Sequence, residues 1–197
     1  MDTWRHALKH TVDRAGSAVL LTACAPVMAV IAAAVKLESR GPALYHQERV
    51  GLGGRVFTMY KYRSMVVDAE VEGPRWSLGT ADSRITRVGA FLRTSHLDEL
   101  PQLWNVLKGE MSLVGPRPER PCFVKELQCR IPEYAQRHRV KPGMTGLAQV
   151  HYRYDASLED VKRKLQFDLL YIKQMCLGLD LRILARTVGV VVARRGH

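Results

Sequence analysis

Cysteine is scarce in this sequence, and the few cysteines show no pattern. The chain has no C-x-x-C pair and no paired histidine spacing, and its four cysteines are scattered: Cys24, Cys122, Cys129 and Cys176. This arrangement excludes the usual zinc sites and gives no support to a disulfide framework. It predicts a protein whose thiols stay reduced, as in the cytoplasm, with the cysteines packed as small buried apolar residues.

Acidic residues are also few relative to basic ones. The 19 Asp and Glu face 30 Lys and Arg, which gives a formal net charge of +11. Such a chain is attracted to polyanions, which include anionic lipid headgroups, nucleotide diphosphates and nucleic acid. The sequence has no recognition-helix or RNA-binding motif, so we do not expect nucleic acid to be its partner.

Internal repeats, low-complexity tracts and linkers are absent from the sequence. Its 197 residues are enough for one core but few for two full domains. We therefore expect an N-terminal membrane element over residues 1–37 and a single functional unit over residues 38–197.

One long stretch contains no charged side chain. Residues 15–35 lack charge over 21 positions, close to the roughly 20 needed to cross a hydrocarbon core. Pro26 lies near the middle and predicts a bend, because it removes a helical hydrogen bond. Basic residues flank both ends, so the positive-inside tendency keeps both ends cytoplasmic: Arg5, Lys9, Arg14, Lys36, Arg40, Arg49 and Arg55. A helix broken at Pro26 that dips into the membrane and returns satisfies both features.

Three other interpretations of this stretch remain open. A signal peptide would have basic residues before an apolar core and a small-residue site such as Ala32-Ala33-Ala34, but it would export the protein away from nucleotides. An ordinary span tolerates a central proline. A buried core helix is disfavoured because the stretch has no polar face.

The remaining sequence predicts one hairpin and several helices. Residues 43–46 and 56–60 predict two strands around the glycine-rich turn at 51–54, and no Gly-Lys-Ser/Thr follows to indicate a phosphate loop. A loop is expected over 68–83 and helices over 86–94, 123–130 and 158–176. A strand is expected to end near Val150. Asp180 is expected to cap a final basic amphipathic helix, whose apolar face would either lie on an anionic membrane or pack within the protein. The expected fold is α+β and predominantly helical, with a Pro-broken re-entrant membrane helix, a small β-hairpin and amphipathic interfacial helices.

Residues 97–121 carry the clearest chemical signal. Asp98 and Glu99 sit at an expected helix start, where adjacent side chains diverge by about 100°, so one can face a phosphorus while the other holds a cation. Downstream, Arg117 and Arg120 lie in a loop stiffened by three prolines and suit phosphate oxygens. The pattern predicts diphosphate chemistry on a metal, with Asp98 and Glu99 as its ligands. The alternative is an acidic first turn that only complements its own helix dipole.

Taken in order, several motifs resemble the small monotopic bacterial phosphoglycosyl transferases, also called the bacterial sugar transferase family. The resemblance covers nearly the whole chain. The matching stretches are Lys9-His10-Thr11-Val12-Asp13, Ser39-Arg40-Gly41-Pro42, Gln47-Glu48-Arg49-Val50-Gly51, Phe57 with Tyr60-Lys61-Tyr62-Arg63-Ser64-Met65, Asp82-Ser83-Arg84-Ile85-Thr86-Arg87-Val88-Gly89, Leu92-Arg93, residues 97–102, Leu113-Val114-Gly115-Pro116-Arg117-Pro118, and Pro142-Gly143-Met144-Thr145-Gly146-Leu147-Ala148-Gln149.

The resemblance implies a reaction and its participants. A sugar 1-phosphate moves from a UDP-sugar to undecaprenyl or another polyprenol phosphate in the inner leaflet, UMP leaves, and the product begins membrane glycoconjugate assembly. Asp98 is implied as the nucleophile that forms a phosphosugar–aspartyl intermediate, and Glu99 with Mg²⁺ as organising the diphosphate. Phosphate or nucleotide binding falls to Lys61, Arg63, Arg93, Arg117, Arg120 and Gln149. The implied location is the cytoplasmic face of the bacterial inner membrane, with a monotopic topology.

Two positions depart from the pattern of the family. His10 stands where Arg is usual, and Ala25 precedes Pro26 where Ser is common, so the bend at Pro26 is expected to be shallower. The rival functions are direct transfer without an intermediate, a nucleic-acid binder and a catalytically silent membrane scaffold. The sequence does not fix the sugar, the glycan pathway, the polyprenol length or whether the chain forms a homo-oligomer.

Overall fold

The fold is α+β and predominantly helical, as the sequence predicts. A computed structural model describes residues 3–67, 69, 82–152 and 157–192. The helices in this part of the chain are α1 (Thr3–Glu38), α2 (Arg87–Ser95), α3 (Gln102–Lys108), α4 (Pro121–Arg130), α5 (Leu147–His151), α6 (Leu158–Gln174) and α7 (Leu177–Val192). Shorter 3₁₀ segments cover Leu52–Gly54, Leu97–Glu99 and Pro132–Arg139, and the strands are β1 (Leu44–Val50), β2 (Val56–Tyr62), β3 (Ser112–Val114) and β4 (Gly143–Thr145).

Helix α1 is long, apolar and largely uncovered. Its 36 residues correspond to about 54 Å at 1.5 Å per residue. Residues His6–Glu38 could cross a membrane by length and composition, and only 11% of their most apolar stretch is buried. Helix α1 continues through Pro26, so the prediction that the helix is broken at this residue is wrong. The proline removes one backbone hydrogen bond, and the neighbouring bonds continue the helix. That the chain enters and leaves the membrane on the same side stays a prediction.

The N-terminal third of α1 packs into the rest of the protein through polar groups. Lys9, Asp13 and Ser17 are buried and recur every four residues, so they share one face of the helix. Lys9 Nζ lies 2.6 Å from a carboxylate oxygen of Asp180 in α7, and Ser112 in β3 donates to Asp13 at 2.6 Å. Ser17 donates to a backbone carbonyl of α3. This end of α1 is therefore tied to three other elements.

The C-terminal end of α1 packs on the same body through apolar groups. Ile31 and Val35 form a buried cluster with Tyr62 of β2 and Leu92 of α2. The Tyr62 hydroxyl also donates to the Met28 carbonyl at 2.8 Å. Both ends of α1 thus contact one folded unit, while most of residues 18–30 between them is exposed.

Strands β1 and β2 form the hairpin that the sequence predicts. They pair antiparallel from Leu44 opposite Tyr62 to Val50 opposite Val56. The turn uses positive φ angles at Gly53 (64°) and Gly54 (79°), which glycine adopts at little cost. The glycine-rich segment is therefore a turn, and the strands extend beyond the predicted ends.

A second, parallel pair joins β3 to β4. Ser112 pairs with Gly143 and Val114 with Thr145. The strand predicted to end near Val150 is wrong in extent, because β4 covers only three residues and α5 follows directly. The two backbones approach so closely that a Cβ on Gly143 would overlap the Gly115 backbone.

Helices α6 and α7 cover this parallel pair. The hydroxyl of the fully buried Tyr171 in α6 donates to Asp180 at 2.8 Å and lies 3.0 Å from the Val114 carbonyl oxygen. The prediction that Asp180 caps α7 is wrong, since its carboxylate accepts from Lys9 and Tyr171 within the first turn of α7. Ile183 is buried against β3, whereas Leu181 and Val188 are exposed and form an apolar outer face, as an interfacial helix requires.

Apolar and sulfur-containing side chains are not all buried. Trp104 in α3 is 51% exposed, whereas Val106 in the same helix is fully buried. The prediction of buried cysteines is also wrong, because Cys24 is half-buried and Cys122, Cys129 and Cys176 are exposed. The loop expected over 68–83 lies outside the described residues except at 69, 82 and 83.

Candidate active site

The two adjacent carboxylates occupy a separate 3₁₀ turn between α2 and α3. His96 ends α2 in the left-handed conformation (φ 57°, ψ 13°), and Leu97–Glu99 form the turn that follows. The prediction that Asp98 and Glu99 lie at the start of a longer helix is therefore wrong. Pro101 has no N–H with which to bond the Leu97 carbonyl, so α3 begins only at Gln102. In a 3₁₀ turn, neighbouring side chains diverge by about 120°.

Glu99 is held between two cations. Its Oε1 atom accepts from Lys61 Nζ at 2.8 Å and from Arg117 Nη2 at 2.7 Å. Burial alone would raise the pKa of Glu99, but Arg117 and Lys61 outweigh burial and hold that pKa well below its usual range. Burial lowers the pKa of Lys61, and the charge of Glu99 opposes that shift. Glu99 is therefore a fixed anion.

Asp98 lies beside Glu99 but is held differently. Its residue is 8% exposed, and none of the residues that the structure describes donates a hydrogen bond to its carboxylate. Burial raises the pKa of Asp98, and the positive charges of Lys61, Arg117 and Arg93 oppose that shift. An anionic oxygen without hydrogen bonds, shielded by cations, has the properties required of a nucleophile toward a phosphorus.

Helix α2 brings the positive charge of Arg93 close enough to Asp98 to oppose the rise that burial causes in the pKa of that carboxylate. The Thr86 side chain caps the helix by accepting from the Gly89 N–H at 2.9 Å. Glu38, at the end of α1, also accepts from the Val88 N–H at 3.0 Å. A Cβ on Gly89 would overlap the Ser64 carbonyl oxygen, so glycine permits the close packing of α2 on the chain after β2.

The strand that carries Lys61 is fixed by a residue that sequence reasoning missed. Asn105 is fully buried in α3 and accepts from the Tyr60 N–H at 3.1 Å, while its Nδ2 donates to the Thr58 carbonyl at 2.7 Å. These two bonds hold β2 just before Lys61. A single buried Asn gives no periodic signal. The one sequence feature that could have identified it is a polar residue within an otherwise apolar stretch of helix.

Arg63 is directed to another part of the structure. Strand β2 ends at Tyr62, so Arg63 lies just beyond the strand that carries Lys61. The Arg63 guanidinium donates to the Ser39 and Arg40 carbonyls at 2.8 and 2.7 Å, next to the end of α1. Phosphate binding by Arg63 therefore gains no support from its contacts.

Arg120 and Gln149 complete the predicted set. The Arg120 guanidinium lies 5.9 Å from the centre of the Phe123 ring, and its charge is among those that lower the pKa of Arg49 after burial. Gln149 in α5 donates to the Met144 carbonyl at 3.1 Å, and its buried Oε1 atom has no hydrogen-bond partner among the described residues. These contacts do not bring either residue to the two carboxylates, so their binding roles stay predictions.

The carboxylates suit a metal that is completed by a substrate. The described residues contain no cluster of three or more Asp, Glu, His or Cys side chains that could hold a metal alone. Mg²⁺ commonly binds through one or two carboxylates together with phosphate oxygens and water. In the part of the chain that the structure describes, no donor is bonded to Oε2 of Glu99 or to Asp98, so these oxygens fit that mode.

Comparison with known proteins assigns a family. A family model described as bacterial sugar transferase matches residues 4–194. The chain is 41% identical over 189 residues to a UDP-N-acetylgalactosamine-undecaprenyl-phosphate N-acetylgalactosaminephosphotransferase of Aeromonas hydrophila, which covers 96% of this chain and 44% of that protein. It is 42% identical over 196 residues to the UDP-glucose:undecaprenyl-phosphate glucose-1-phosphate transferase of Xanthomonas campestris pv. campestris, covering 98% and 40%.

A similar relative is shorter. The chain is 44% identical over 183 residues to a UDP-glucose:undecaprenyl-phosphate glucose-1-phosphate transferase of Caulobacter vibrioides, which covers 91% of this chain and 68% of that protein. The chain thus spans less than half the length of the first two relatives and about two thirds of the third.

Proposed function

Because this chain belongs to the bacterial sugar transferase family, we propose that it transfers a sugar 1-phosphate from a UDP-sugar to undecaprenyl phosphate and releases UMP. The observation that carries the proposal is the turn with Asp98 and Glu99, in which one carboxylate is fixed by Lys61 and Arg117 and the other is left without a donor among the described residues. The relatives are named for the same type of transfer.

The first step forms a covalent intermediate on Asp98. An Oδ atom of Asp98 attacks the β-phosphorus of the UDP-sugar, and the bond from that phosphorus to the bridging oxygen breaks. UMP leaves with the bonding electron pair, and the sugar phosphate remains on Asp98. Lys61, Arg93 and Arg117 supply positive charge close to Asp98, which reduces the repulsion between the carboxylate and the anionic diphosphate.

The second step returns the enzyme to its starting state. A phosphate oxygen of the polyprenol phosphate attacks the same phosphorus, the bond to Asp98 breaks, and a polyprenol diphosphate sugar is formed. Asp98 is again a free carboxylate. Asp98 and Glu99 would hold a Mg²⁺ ion that neutralises diphosphate charge when it is bound.

The packing of α1 supports a monotopic location at the cytoplasmic face of the inner membrane. Its polar end binds Asp180 and Ser112, and its other end packs on Tyr62 and Leu92 of the same folded unit. A helix with both ends on one soluble body favours entry and exit on one side of the bilayer. The exposed apolar middle of α1 and the outer face of α7 would contact lipid.

A substrate panel tests the proposal. The purified chain is incubated with undecaprenyl phosphate, Mg²⁺ and one of several UDP-sugars, including UDP-glucose and UDP-N-acetylgalactosamine, and the UMP released is measured. We expect UMP from at least one UDP-sugar and none from the Asp98→Asn variant. Absence of UMP with every UDP-sugar, from protein that melts cooperatively, would contradict the proposal. The panel also identifies the sugar, which the relatives do not settle because their names differ in it.

A further inference from the structure

The loop that presents Arg117 is held from behind by two other arginines. Arg137 Nη2 donates to the backbone carbonyl of Arg117 at 2.8 Å. Arg49 Nη1 donates to the carbonyl of the next residue, Pro118, also at 2.8 Å. Two consecutive peptide groups of the loop are therefore bound by guanidinium groups, while the Arg117 side chain reaches Glu99 on the other side.

The Arg137 guanidinium is bonded on all three nitrogens to groups of the protein. It lies in the 3₁₀ segment Pro132–Arg139 and is 7% exposed. Its Nε and Nη2 atoms donate to Asp168 at 3.1 and 2.8 Å, and its Nη1 atom donates to the Tyr134 hydroxyl at 2.7 Å. Since Arg137 is buried and these bonds hold it in place, it acts on the site through the Arg117 backbone that it binds.

Asp168 fixes the orientation of Arg137. This aspartate of α6 is 3% exposed, and its Oδ2 atom accepts both bonds from Arg137. A guanidinium can bind a carboxylate and a carbonyl at once because its donors form a rigid planar fork. A lysine at the same position has one donor centre and cannot reproduce both contacts.

Arg49 holds the loop from the hairpin. It lies at the end of β1, donates to Gln47 in its own strand and reaches Glu119 at 3.4 Å. The neighbouring Val50 N–H donates to the Glu119 carbonyl at 2.9 Å. The loop is thus attached to β1 through Arg49 and Val50 and to α6 through Arg137 and Asp168.

We propose that Arg137, oriented by Asp168, and Arg49 are positioning residues that set where the Arg117 guanidinium meets Glu99. The kinetic part of this inference rests on the proposed function. Displacement of a charged group by about 1 Å in such a site can reduce a rate roughly 100-fold. The three residues influence the reaction without touching substrate.

The variants are chosen to avoid an unpaired buried charge. Arg137→Lys keeps a cation beside Asp168 but loses the contact with the Arg117 carbonyl. The double variant Arg137→Gln/Asp168→Asn removes both charges together, since removing one partner of a buried pair leaves the other uncompensated. Arg130→Lys is the control, because Arg130 pairs with Glu126 on the exposed side of α4.

Kinetics test whether Arg137 acts through Arg117. We expect Arg137→Lys to lower kcat/KM about 10- to 100-fold and Arg130→Lys to leave it unchanged. In an Arg117→Lys background, the further loss from Arg137→Lys should shrink to about twofold or less, because the positioned group is already altered. In a Lys61→Gln background the full loss should persist. Equal losses in all three backgrounds would overturn the inference.

Amide hydrogen exchange gives a readout that does not depend on turnover. The full chain in lipid nanodiscs is compared with Arg137→Lys and with the double variant. The Val50 and Gly143 amides bond the Glu119 and Pro116 carbonyls, so both should exchange faster in either variant, while α2 and α7 stay unchanged. Unchanged exchange at Val50 and Gly143 would overturn the inference. Faster exchange with no UMP release by the wild type would retain the positioning and reject the proposed function.

Discussion

Asp98 and Glu99 are neighbours in sequence with opposite electrostatic environments. Glu99 accepts from two cations and its pKa is held well below its usual range, even though burial opposes this. Burial raises the pKa of Asp98, and the nearby cations only moderate that rise. Two carboxylates whose pKa values are driven apart suit two roles, with Glu99 as a fixed anion and Asp98 as the reactive group.

The pH dependence of turnover should report the ionisation of Asp98. The nucleophile must be ionised, and burial raises its pKa, so kcat/KM should fall on acidification at a pH above the usual aspartate range. Lys61 lowers the pKa of Asp98, so Lys61→Met should move this acidic limb to higher pH. The measurement is the pH profile of UMP release.

The control for this profile is Lys162→Met, which removes an exposed lysine paired with Glu159. This control should leave the acidic limb where it is in the wild type. An acidic limb that stays in place in Lys61→Met would argue against Asp98 as the titrating group.

Sequence reasoning found the charged groups of the site more readily than the groups that hold them. Lys61, Glu99 and Arg117 were each singled out from a short distinctive motif, and the structure places them in contact. Arg137 and Asp168 were missed, since a buried ion pair 31 positions apart depends on the tertiary fold and has no local pattern. Arg63 lies in the same motif as Lys61, but it follows the end of β2 and its guanidinium binds the Ser39 and Arg40 carbonyls.

At the scale of elements, α2 is placed by one glycine. The Gly89 Cα faces the Ser64 carbonyl oxygen with no space for a side chain. Gly189 in α7 has open space around the equivalent position. Replacing either helical glycine by alanine changes the conformational entropy of the unfolded chain to a similar extent. The two positions therefore differ in packing alone.

Alanine at these two glycines should have opposite effects. Gly89→Ala should destabilise the protein by at least about 1–3 kcal/mol and reduce activity, because α2 and Arg93 must move away from Ser64. Gly189→Ala should stabilise by about 0.4–1 kcal/mol, since alanine restricts the unfolded chain and fits the helix. Thermal unfolding of both variants in detergent checks this, and equal melting temperatures would count against the packing described for α2.

The attachment of α1 to α7 depends on a buried lysine. Lys9 lies 2.6 Å from Asp180 and 3.5 Å from Asp13, and all three side chains are at most 8% exposed. Lys9→Met should cost about 3–5 kcal/mol, because it leaves two buried carboxylates without their cation. The exposed pair in Lys162→Met should cost no more than about 1 kcal/mol. Denaturant unfolding measures both, and similar losses would refute a special role for Lys9.

Elements with a clear period were predicted well, and the shortest were not. The hairpin and helices α2, α4 and α6 were expected to within a few residues, because alternation or helical period extends over each of them. Strands β3 and β4 have three residues each, too few for a period, and they pair across about 30 residues of sequence. The sequence feature that indicates the close approach of β3 and β4 is the set of glycines at 115, 143 and 146.

At the scale of the whole molecule, both ends of α1 lie on one folded unit. We therefore expect a cysteine introduced at residue 3, in a background without the native cysteines, to resist membrane-impermeant thiol reagents in intact cells. After the inner membrane is permeabilised it should be labelled. A cysteine in place of the exposed Lys162 of α6 is the cytoplasmic control. Labelling of residue 3 in intact cells would exclude a re-entrant path and favour an ordinary span.

The central claim is that Asp98 bonds to the phosphorus of the donor. Its most direct test uses a UDP-sugar radiolabelled at the β-phosphorus, offered to the enzyme without polyprenol phosphate and followed by denaturation. The account predicts label on the wild-type chain, loss of that label when polyprenol phosphate is added before denaturation, and no label on Asp98→Asn. Wild-type protein that turns over normally with acceptor yet carries no label without it would contradict the account and favour direct transfer.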